Sequence, residues 1–568
     1  MGKKHKQGGS GESRPNFLFL MADEWRAPVV YENAELLSWR KSHLRTPQLL
    51  AEHGMSFENH YIGSTACSPS RATLFTGQYP SLHGVTQTPG AAKSSFDADM
   101  FWLDPNTVPT LGDYFRHAGY RTFWKGKWHI SNEDIILPGT TDAFPSYDPN
   151  TGKPDKKKEQ IYQEANRLDP FGFSGWIGPE PHGADPNNSG SSAAQRWKGR
   201  DSVYADEAVS LIKELEEEQT NDREPWFIVS SFVNPHDITL YGLLTSLLPA
   251  YDFSIDPSVP NIPPAPTARE SLDTKPSAQK SYRNTYHQAL QPTVNTPTFR
   301  RLYYSLQKEV DREMQKVFEA LRKSIFYDNT IVVFTSDHGD LLGAHGGLFQ
   351  KWHNAYEESI HVPLIIHSPK HFCGEEKTTA LTSHVDIVPT LLGLADISVT
   401  DIQEQLRQDH TDVPPFPGRN LAPPLRDKEM ERVNDPLYFM SDDEFSKGLH
   451  QETLWGTEYE SVEQPNHVET VIQKLKTGDN QGEEVWKFSR YFDGTTYSEK
   501  SSEHENRKNG IQNKPVEEQY ELYNLTQDPL EEKNLAHPVY ATAETKRVQK
   551  MMHSTLKKQA NAKRISST

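Results

Sequence analysis

Residues 63–80 read GSTACSPSRATLFTGQYP, and the interpretation of the whole chain starts from this stretch. The run from Arg71 to Thr76 is predicted to be helical, which would place Cys67 at the N-terminus of a helix. Backbone N–H groups at such a terminus favour a bound anion. The alternative is a buried structural thiol in a loop, because cysteine is among the residues most often buried. The stretch therefore makes Cys67 a candidate catalytic residue, whose interpretation depends on the neighbouring segments.

Several short apolar runs end in polar residues, as strands do when they deliver side chains to the edge of a sheet. Predicted strands cover Asn16–Met21, Arg121–Trp124, Trp226–Phe232 and Thr330–Thr335. The polar residues that follow them are, in the same order, Asp23 and Glu24, Lys127 and His129, His236, and Asp337 and His338. Open α/β sheets bind ligands at the carboxyl ends of their strands, so these side chains are expected to meet in one cleft. Strands alternating with helices indicate an α/β fold, in which a large mixed, mostly parallel sheet is sandwiched by helices.

Changes in composition divide the chain into a large and a small part. Residues 1–14, rich in Lys, Gly and Ser, are predicted to form a disordered tail. Residues 15–427 form the predicted main domain, with long irregular insertions at about 140–200 and 240–298. The second insertion is rich in proline and is interpreted as a cover over the site. Residues 428–568 are predicted to form a smaller C-terminal α+β subdomain with a small antiparallel sheet.

Composition limits the partners and the compartment. The 568 residues carry a net charge of −18, which disfavours nucleic acid and acidic membranes as partners because no overall positive field attracts them. With two cysteines, Cys67 and Cys373, a disulfide framework is not expected, which fits a reducing compartment. The sequence shows neither a secretory signal nor an apolar run long enough to span a bilayer. A cytoplasmic protein is expected; a leader that has been removed and a homo-oligomer are left open.

Residues 67–71, with the continuation to Pro80, resemble the C-x-P-x-R modification site of the sulfatase family. Enzymes of that family depend on formylglycine and belong to the alkaline phosphatase superfamily. Within the family, this sequence resembles the arylsulfatases. The resemblance runs from about Asn16 to Leu535 and is strongest at 67–80, 126–129 and 336–340. It implies an alkaline phosphatase-like fold and hydrolysis of sulfate monoesters to an alcohol or phenol plus sulfate. It also implies a sulfated small molecule or carbohydrate as substrate, and a formylglycine-generating enzyme as partner during maturation.

The resemblance assigns the nucleophile and the residues that hold it. A separate enzyme would oxidise Cys67 to formylglycine (3-oxoalanine), whose hydrated form is a geminal diol. One diol oxygen would attack sulfur, and the other would later expel the sulfate. Arg71 would brace the diol and the metal-binding carboxylates through its planar guanidinium. Lys127 would neutralise a sulfate oxygen and contact the diol, and His129 would hold the second diol hydroxyl.

Two further residues are assigned to the leaving group. His236 would protonate or hydrogen-bond the leaving oxygen, since a side chain that titrates near neutrality suits a general acid. Lys351 would bridge the sulfate and the leaving group. Taken alone, a histidine or a lysine of this kind is more often an ordinary surface residue.

The resemblance also implies one divalent metal ion. Its ligands would be Asp23, Asp337, His338 and an oxygen of the modified Cys67, with Glu24 as a further candidate. Glu24 departs from the commonest family pattern, so whether it binds directly or lies behind the ligands is left open. Hard carboxylate oxygens make Ca²⁺ the first expectation, with Mg²⁺ and Mn²⁺ as alternatives. For His338 the competing interpretation is a core histidine, which its position after Asp337 disfavours.

The residues leave two other functions open. The same machinery hydrolyses phosphonate monoesters and phosphate diesters in a related branch, and residues 23–26, Asp-Glu-Trp-Arg, are similar to the Asp-Gln-Trp-Arg of that branch. A non-catalytic anion-binding relative would be expected to lack Cys67, Lys127 or a metal-binding aspartate, and all of these are present.

Overall fold

A computed structural model describes residues 14–181, 185–194, 199–218, 224–477, 482–494 and 516–564. The predicted tail at 1–14 lies outside the described residues except for Arg14. In the described part of the chain, no helix is both long enough and apolar enough to cross a membrane.

The larger part is built on a seven-stranded sheet, counted over the described residues. Its strands are β1 (Asn16–Asp23), β2 (Gly54–Tyr61), β3 (Arg121–Gly126), β4 (Trp226–Pro235), β5 (Thr330–Ser336), β6 (Leu364–His367) and β7 (Glu376–Ser383). Their order is β3-β4-β1-β5-β6-β2-β7, and only β6 runs antiparallel to its neighbours. The predicted α/β class with a mixed, mostly parallel sheet is confirmed.

The C-terminal part carries a separate antiparallel sheet. Its strands are β8 (Leu437–Ser441), β9 (His467–Lys476), β10 (Glu483–Phe492) and β11 (Gln519–Asn524), in the order β11-β10-β9-β8. The predicted small antiparallel sheet is confirmed in this part of the chain. Strand β8 also contacts the main domain. The Met440 amide donates to the Gly63 carbonyl at 3.1 Å, and the Ser441 hydroxyl donates to the Thr65 carbonyl at 3.1 Å.

The α-helices of the described residues flank the two sheets. Their bounds are α1 (Ala34–His43), α2 (Arg45–Ala51), α3 (Cys67–Thr76), α4 (Pro80–His83), α5 (Leu111–His117), α6 (Lys156–Ala165), α7 (Gly199–Glu217), α8 (Ser277–Ala289), α9 (Pro297–Lys323), α10 (Glu357–Ile360), α11 (Ile387–Leu394), α12 (Val399–Leu406), α13 (Ala422–Arg426) and α14 (Ala543–Lys563).

Strand β1 separates two hydrophobic cores because its side chains alternate between the faces of the sheet. Leu18 and Leu20 enter one core with residues of α7 and α9. Phe17 and Phe19 enter the other with residues of α3, α5 and α11. Every residue of β1 is buried. Helices on both faces thus exclude water from the central strands, and polar groups remain at the strand ends.

Both insertions contain helices, which corrects the expectation that they are irregular. In the first, Asp155 caps α6 by accepting from the amides of Lys157 and Lys158, and the helix buries Tyr162. In the second, α8 buries Tyr282 and Tyr286, whose rings contact Phe349 and Phe445. These helices are 10 and 13 residues long, short enough for the surrounding prolines and glycines to dominate the composition of each insertion.

Candidate active site

The strand ends and one helix start bring the predicted residues together. Asp23 ends β1, which lies between β4 and β5, so Asp23 is flanked by the segments that carry His236 and Asp337. Cys67 is the first residue of α3, as the sequence predicts within a few residues. Lys127 directly follows β3, where Gly126 has a φ of +94° and a Cβ would lie 1.9 Å from the Ser231 carbonyl oxygen. Only glycine fits that approach, which places Lys127 beside the end of β1.

Arg71 links two of these segments through its guanidinium. Its Nε donates to Asp337 Oδ2 at 2.7 Å, and its Nη2 donates to Asp23 Oδ2 at 3.0 Å. Its Nη1 donates to the Lys127 carbonyl and to the Ser231 hydroxyl, both at 3.0 Å. All these groups are buried, so each charge is paired and hydrogen-bonded as burial requires. The structure therefore places Arg71 where it fixes two carboxylates at once.

A group of four side chains could hold a metal ion. Asp23, Cys67, Asp337 and His338 each offer a donor atom, and these atoms lie within 4.8 Å of one another. His338 Nδ1 lies 2.9 Å from the Gly339 carbonyl and must donate to it, which leaves the lone pair on Nε2. Nε2 lies 3.1 Å from Cys67 Sγ. Burial lowers the pKa of His338 to about 4, so the imidazole is neutral, as a ligand must be.

Glu24 lies in an adjoining group with Asp23 and His236. Its Oε2 is 3.3 Å from Lys351 Nζ and 4.0 Å from His236 Nε2. Its Oε1 is buried and has no hydrogen-bond partner among the described residues. Burial raises the pKa of Glu24 well above its usual range, against the opposing effect of Lys351. The unpaired Glu24 oxygen adjoins a group that offers the carboxylates of Asp23 and Asp337 and the neutral imidazole of His338. Such donors suit a hard divalent cation, so the donor set fits the implied metal.

Positive charge surrounds this carboxylate group. Lys127 Nζ lies 2.5 Å from Asp23 Oδ2, and the side chains of Lys127 and Lys351 are both nearly fully buried. Burial alone would lower the pKa of Lys127, but the Asp23 carboxylate raises it, so the ammonium stays charged. The pKa of Lys351 is likewise raised, because neighbouring negative charges outweigh the effect of burial. Two buried ammonium groups next to a helix start create a strong local attraction for a small anion.

The two candidate histidines are half-buried at the edge of the group. His129 has a φ of +58°, and its buried Nδ1 has no hydrogen-bond partner among the described residues. Burial and the neighbouring Lys127 lower the pKa of His129 well below its usual range. The same two causes lower the pKa of His236, whose side chain is 26% exposed. Both imidazoles are therefore neutral in the free protein and reach the solvent side of the site.

Glu180 is a contributor to the site that sequence analysis did not identify. Its Oε1 accepts the amide hydrogens of Trp128 at 3.0 Å and of His129 at 2.8 Å. The carboxylate thereby holds the left-handed turn that presents His129. Burial raises the pKa of Glu180 to about 7, which Asp134 reinforces. Its sequence context, Gly-Pro-Glu-Pro-His, lies in the first insertion and carries no recognisable motif.

The unconverted Cys67 thiol is expected to resist alkylation in the folded protein. Burial, together with Asp23, raises the pKa of Cys67 to about 11, and the thiolate is the reactive form. Cys373 is exposed and serves as an internal control. Iodoacetamide at pH 7.5, followed by peptide mass spectrometry, should label Cys373 quickly and Cys67 only after denaturation. Equal labelling of both cysteines under native conditions would contradict the buried geometry.

Comparisons with known proteins identify a family and several solved structures of similar fold. The family model Sulfatase matches residues 15–397. A choline-sulfatase of Rhizobium meliloti is 27% identical over 407 residues, which cover 69% of each chain. The solved structure of BT4656 in complex with its substrate D-glucosamine-2-N,6-O-disulfate covers 97% of this chain and 98% of its own, with 18% identity and a TM-score of 0.59. A phosphonate monoester hydrolase of Agrobacterium radiobacter covers 97% and 96%, with 21% identity and a TM-score of 0.58.

Proposed function

Since this chain belongs to the sulfatase family, we propose that it hydrolyses sulfate monoesters, R–O–SO₃⁻, to R–OH and sulfate at the site around Cys67. One observation carries this proposal. The first residue of α3 shares a compact donor group with Asp23, Asp337 and His338. Positively charged side chains surround that group and can hold a sulfate. Choline-sulfatase and the glucosamine disulfate complex, among the similar proteins, support the same substrate group.

The proposed active form carries formylglycine in place of Cys67. When hydrated, this aldehyde would provide one hydroxyl to attack sulfur and a second whose deprotonation would release the sulfate and restore the aldehyde. Water would then hydrate the aldehyde again, and no outside water would have to attack a covalent sulfate ester. A divalent cation held by Asp23, Asp337 and His338, with Glu24 in reach, would polarise a sulfate oxygen; Ca²⁺ is the first choice. Cys67 Sγ marks where the modified side chain would stand among these ligands.

The remaining side chains have distinct tasks in this proposal. Lys127 and Lys351 bind sulfate oxygens, and their fixed charges are most effective in a buried site. His236, on the more open side, hydrogen-bonds the leaving oxygen and transfers a proton to it. The negative charge of a bound ester raises the proton affinity of this otherwise neutral imidazole. His129 accepts the proton of the second diol hydroxyl, and Arg71 keeps Asp23 and Asp337 aligned.

Hydrolysis of phosphonate monoesters or phosphate diesters is the second candidate. The similarity in fold to a phosphonate monoester hydrolase favours it. The shared segment at residues 23–26 adds little, because Trp25 and Arg26 point into the protein. Arg26 donates to the Asp340 carbonyl and to the Tyr304 hydroxyl, both at 3.1 Å, and Trp25 packs on Phe334. These contacts stabilise the fold and do not distinguish a sulfate ester from a phosphonate or phosphate ester as substrate.

The test uses protein co-expressed with a formylglycine-generating enzyme. The mass of the proteolytic peptide that carries residue 67 gives the converted fraction. Turnover of 4-nitrophenyl sulfate per converted site is then compared with that of a phenylphosphonate monoester. Faster sulfate ester hydrolysis supports the proposal. Equal or faster phosphonate hydrolysis overturns the preference, and no turnover of either by converted protein overturns the enzymatic proposal.

Removal of the Glu180 carboxylate is expected to slow catalysis without abolishing it. Glu180→Ala frees the Trp128 and His129 amides, so kcat for sulfate hydrolysis should fall by about tenfold to a hundredfold. Glu180→Gln keeps a carbonyl acceptor and should lose much less. Steady-state kinetics per converted site provide the measurement, with Glu164→Ala on the exposed face of α6 as control. An unchanged kcat in Glu180→Ala would show that the left-handed turn at His129 keeps its conformation without the Glu180 carboxylate.

A further inference from the structure

We propose that Asp443, in the C-terminal subdomain, is a positioning residue that aligns the Cys67 turn with the loop that carries Lys351. Asp443 lies two residues beyond β8 and is 2% exposed. It does not touch the metal-ligand group and belongs to none of the motifs in the main domain. The expected effect on turnover rests on the proposed function, whereas the contacts themselves do not depend on it.

The first contact is with the residue that precedes the nucleophile. Asp443 Oδ2 accepts the amide hydrogen of Ala66 at 3.2 Å. Ala66 is the N-cap of α3 and provides no side-chain cap of its own. The carboxylate therefore satisfies a buried backbone donor where α3 begins, one peptide unit before Cys67. Its Oδ1 accepts the amide hydrogen of Thr88 at 3.1 Å, which fixes the orientation of the carboxylate.

The second contact is with the neighbour of the lysine. Trp352 Nε1 donates to Asp443 Oδ2 at 2.9 Å. The indole also stacks on Phe445, with ring centroids 4.6 Å apart. Lys351 Nζ lies 5.1 Å from the centre of the same indole, within the range of a cation–π interaction. Fixing the indole from two sides therefore limits where the Lys351 ammonium can stand.

One oxygen atom thus connects two catalytic segments that are far apart in the sequence. Oδ2 accepts from the Ala66 and Trp352 donors together. A shift of this carboxylate would move the nucleophile and the sulfate-binding ammonium relative to each other. Displacements on the order of 1 Å at a reacting centre can cost roughly a hundredfold in rate. Asp443 therefore acts on the reaction through geometry and does not touch the substrate.

The chain offers a matched control at the preceding residue. Asp442 is largely buried too, but its carboxylate pairs with Arg564 and, at 3.1 Å, with His467. Both partners belong to the C-terminal subdomain, and neither contacts the candidate active site. Asp442→Asn and Asp443→Asn make the same change in charge and shape at adjacent positions. A difference between them in catalysis isolates the link to the active site.

The experiment compares these two variants with Trp352→Phe, which keeps the stacked ring and removes the N–H donor. Asp443→Asn replaces one acceptor oxygen by an NH₂ group, so it cannot accept from all three donors. Its kcat per converted site should fall by about tenfold to a hundredfold with a smaller change in KM. Trp352→Phe should lose less. The double variant should lose less than the product of the two single effects, because both act on one contact.

Results that leave Asp443→Asn within twofold of the parent, or that make Asp442→Asn equally slow, would overturn the proposal. Urea unfolding of each variant shows whether a slow variant is simply less folded. A readout without turnover keeps this test separate from the proposed function. In unconverted protein, Asp443→Asn should speed native iodoacetamide labelling of Cys67 relative to Cys373, whereas Asp442→Asn should not. Unchanged labelling in both variants would show that Asp443 does not hold the turn.

Discussion

Cys67→Ala is expected to reduce turnover of 4-nitrophenyl sulfate by at least about four orders of magnitude, the scale seen when a covalent nucleophile is removed. Alanine is compatible with the first turn of α3 and leaves no heteroatom to form the covalent intermediate. Only one small buried atom is lost, so the unfolding free energy should change little. Kinetics with converted parent protein and peptide mass spectrometry of both proteins provide the measurement.

Cys373→Ala is the matched control, since it removes the exposed thiol and should retain full activity. Cys67→Ser adds a second comparison, because a hydroxyl at this position lacks the second oxygen of the diol. Substantial multiple turnover by either Cys67 variant would contradict the proposed nucleophile. Loss of activity in Cys373→Ala would point to general damage instead.

Asp23→Asn is expected to damage both stability and catalysis. The Asp23 carboxylate pairs with Arg71 and Lys127 in a region closed to water. Its pKa lies well below the usual range, because these charges, with Lys127 the strongest, outweigh the effect of burial. A neutral amide leaves two buried cations short of a partner, and breaking such a pair costs about 3–5 kcal/mol of unfolding free energy. Loss of a metal ligand should also reduce kcat by at least about a hundredfold.

Urea unfolding, Ca²⁺ titration calorimetry and steady-state kinetics measure the three effects of Asp23→Asn. Asp396→Asn is the control, because Asp396 pairs with Arg426 at 2.9 Å but is 78% exposed. Exposed pairs of this kind contribute roughly 0–1 kcal/mol, and this variant should keep Ca²⁺ affinity and rate. If Asp23→Asn bound Ca²⁺ as the parent does, Asp23 would not be a ligand.

The sequence predicts the segments of the site whose signals are local. Asp23 ends one fully buried strand, Asp337 follows another, and Cys67 begins a helix within a long motif, so their meeting follows from the parallel sheet. Strand β2 was not predicted. It combines buried and exposed positions without strict alternation, because its register shifts within the pairing with β7. A short strand with such a pattern resembles a loop.

The two supporting carboxylates could not be predicted for a different reason. Glu180 accepts amides about fifty positions earlier, and Asp443 accepts an amide 377 positions away. Their partners are mainly backbone N–H groups, which every residue except proline carries and which leave no mark in the sequence. Side chains that bind backbone are found only when the fold has brought distant segments together.

The contact between β8 and the segment before α3 bears on the shortest chain that can be active. The region matched by the family model ends at residue 397, whereas the Gly63 and Thr65 carbonyls are held by Met440 and Ser441. A fragment that stopped at the matched boundary would contain every candidate catalytic side chain and would leave the approach to Cys67 unsupported. We therefore expect a chain to be catalytically active only when it keeps the second sheet, which makes that sheet a part of the active enzyme rather than an appendage to it.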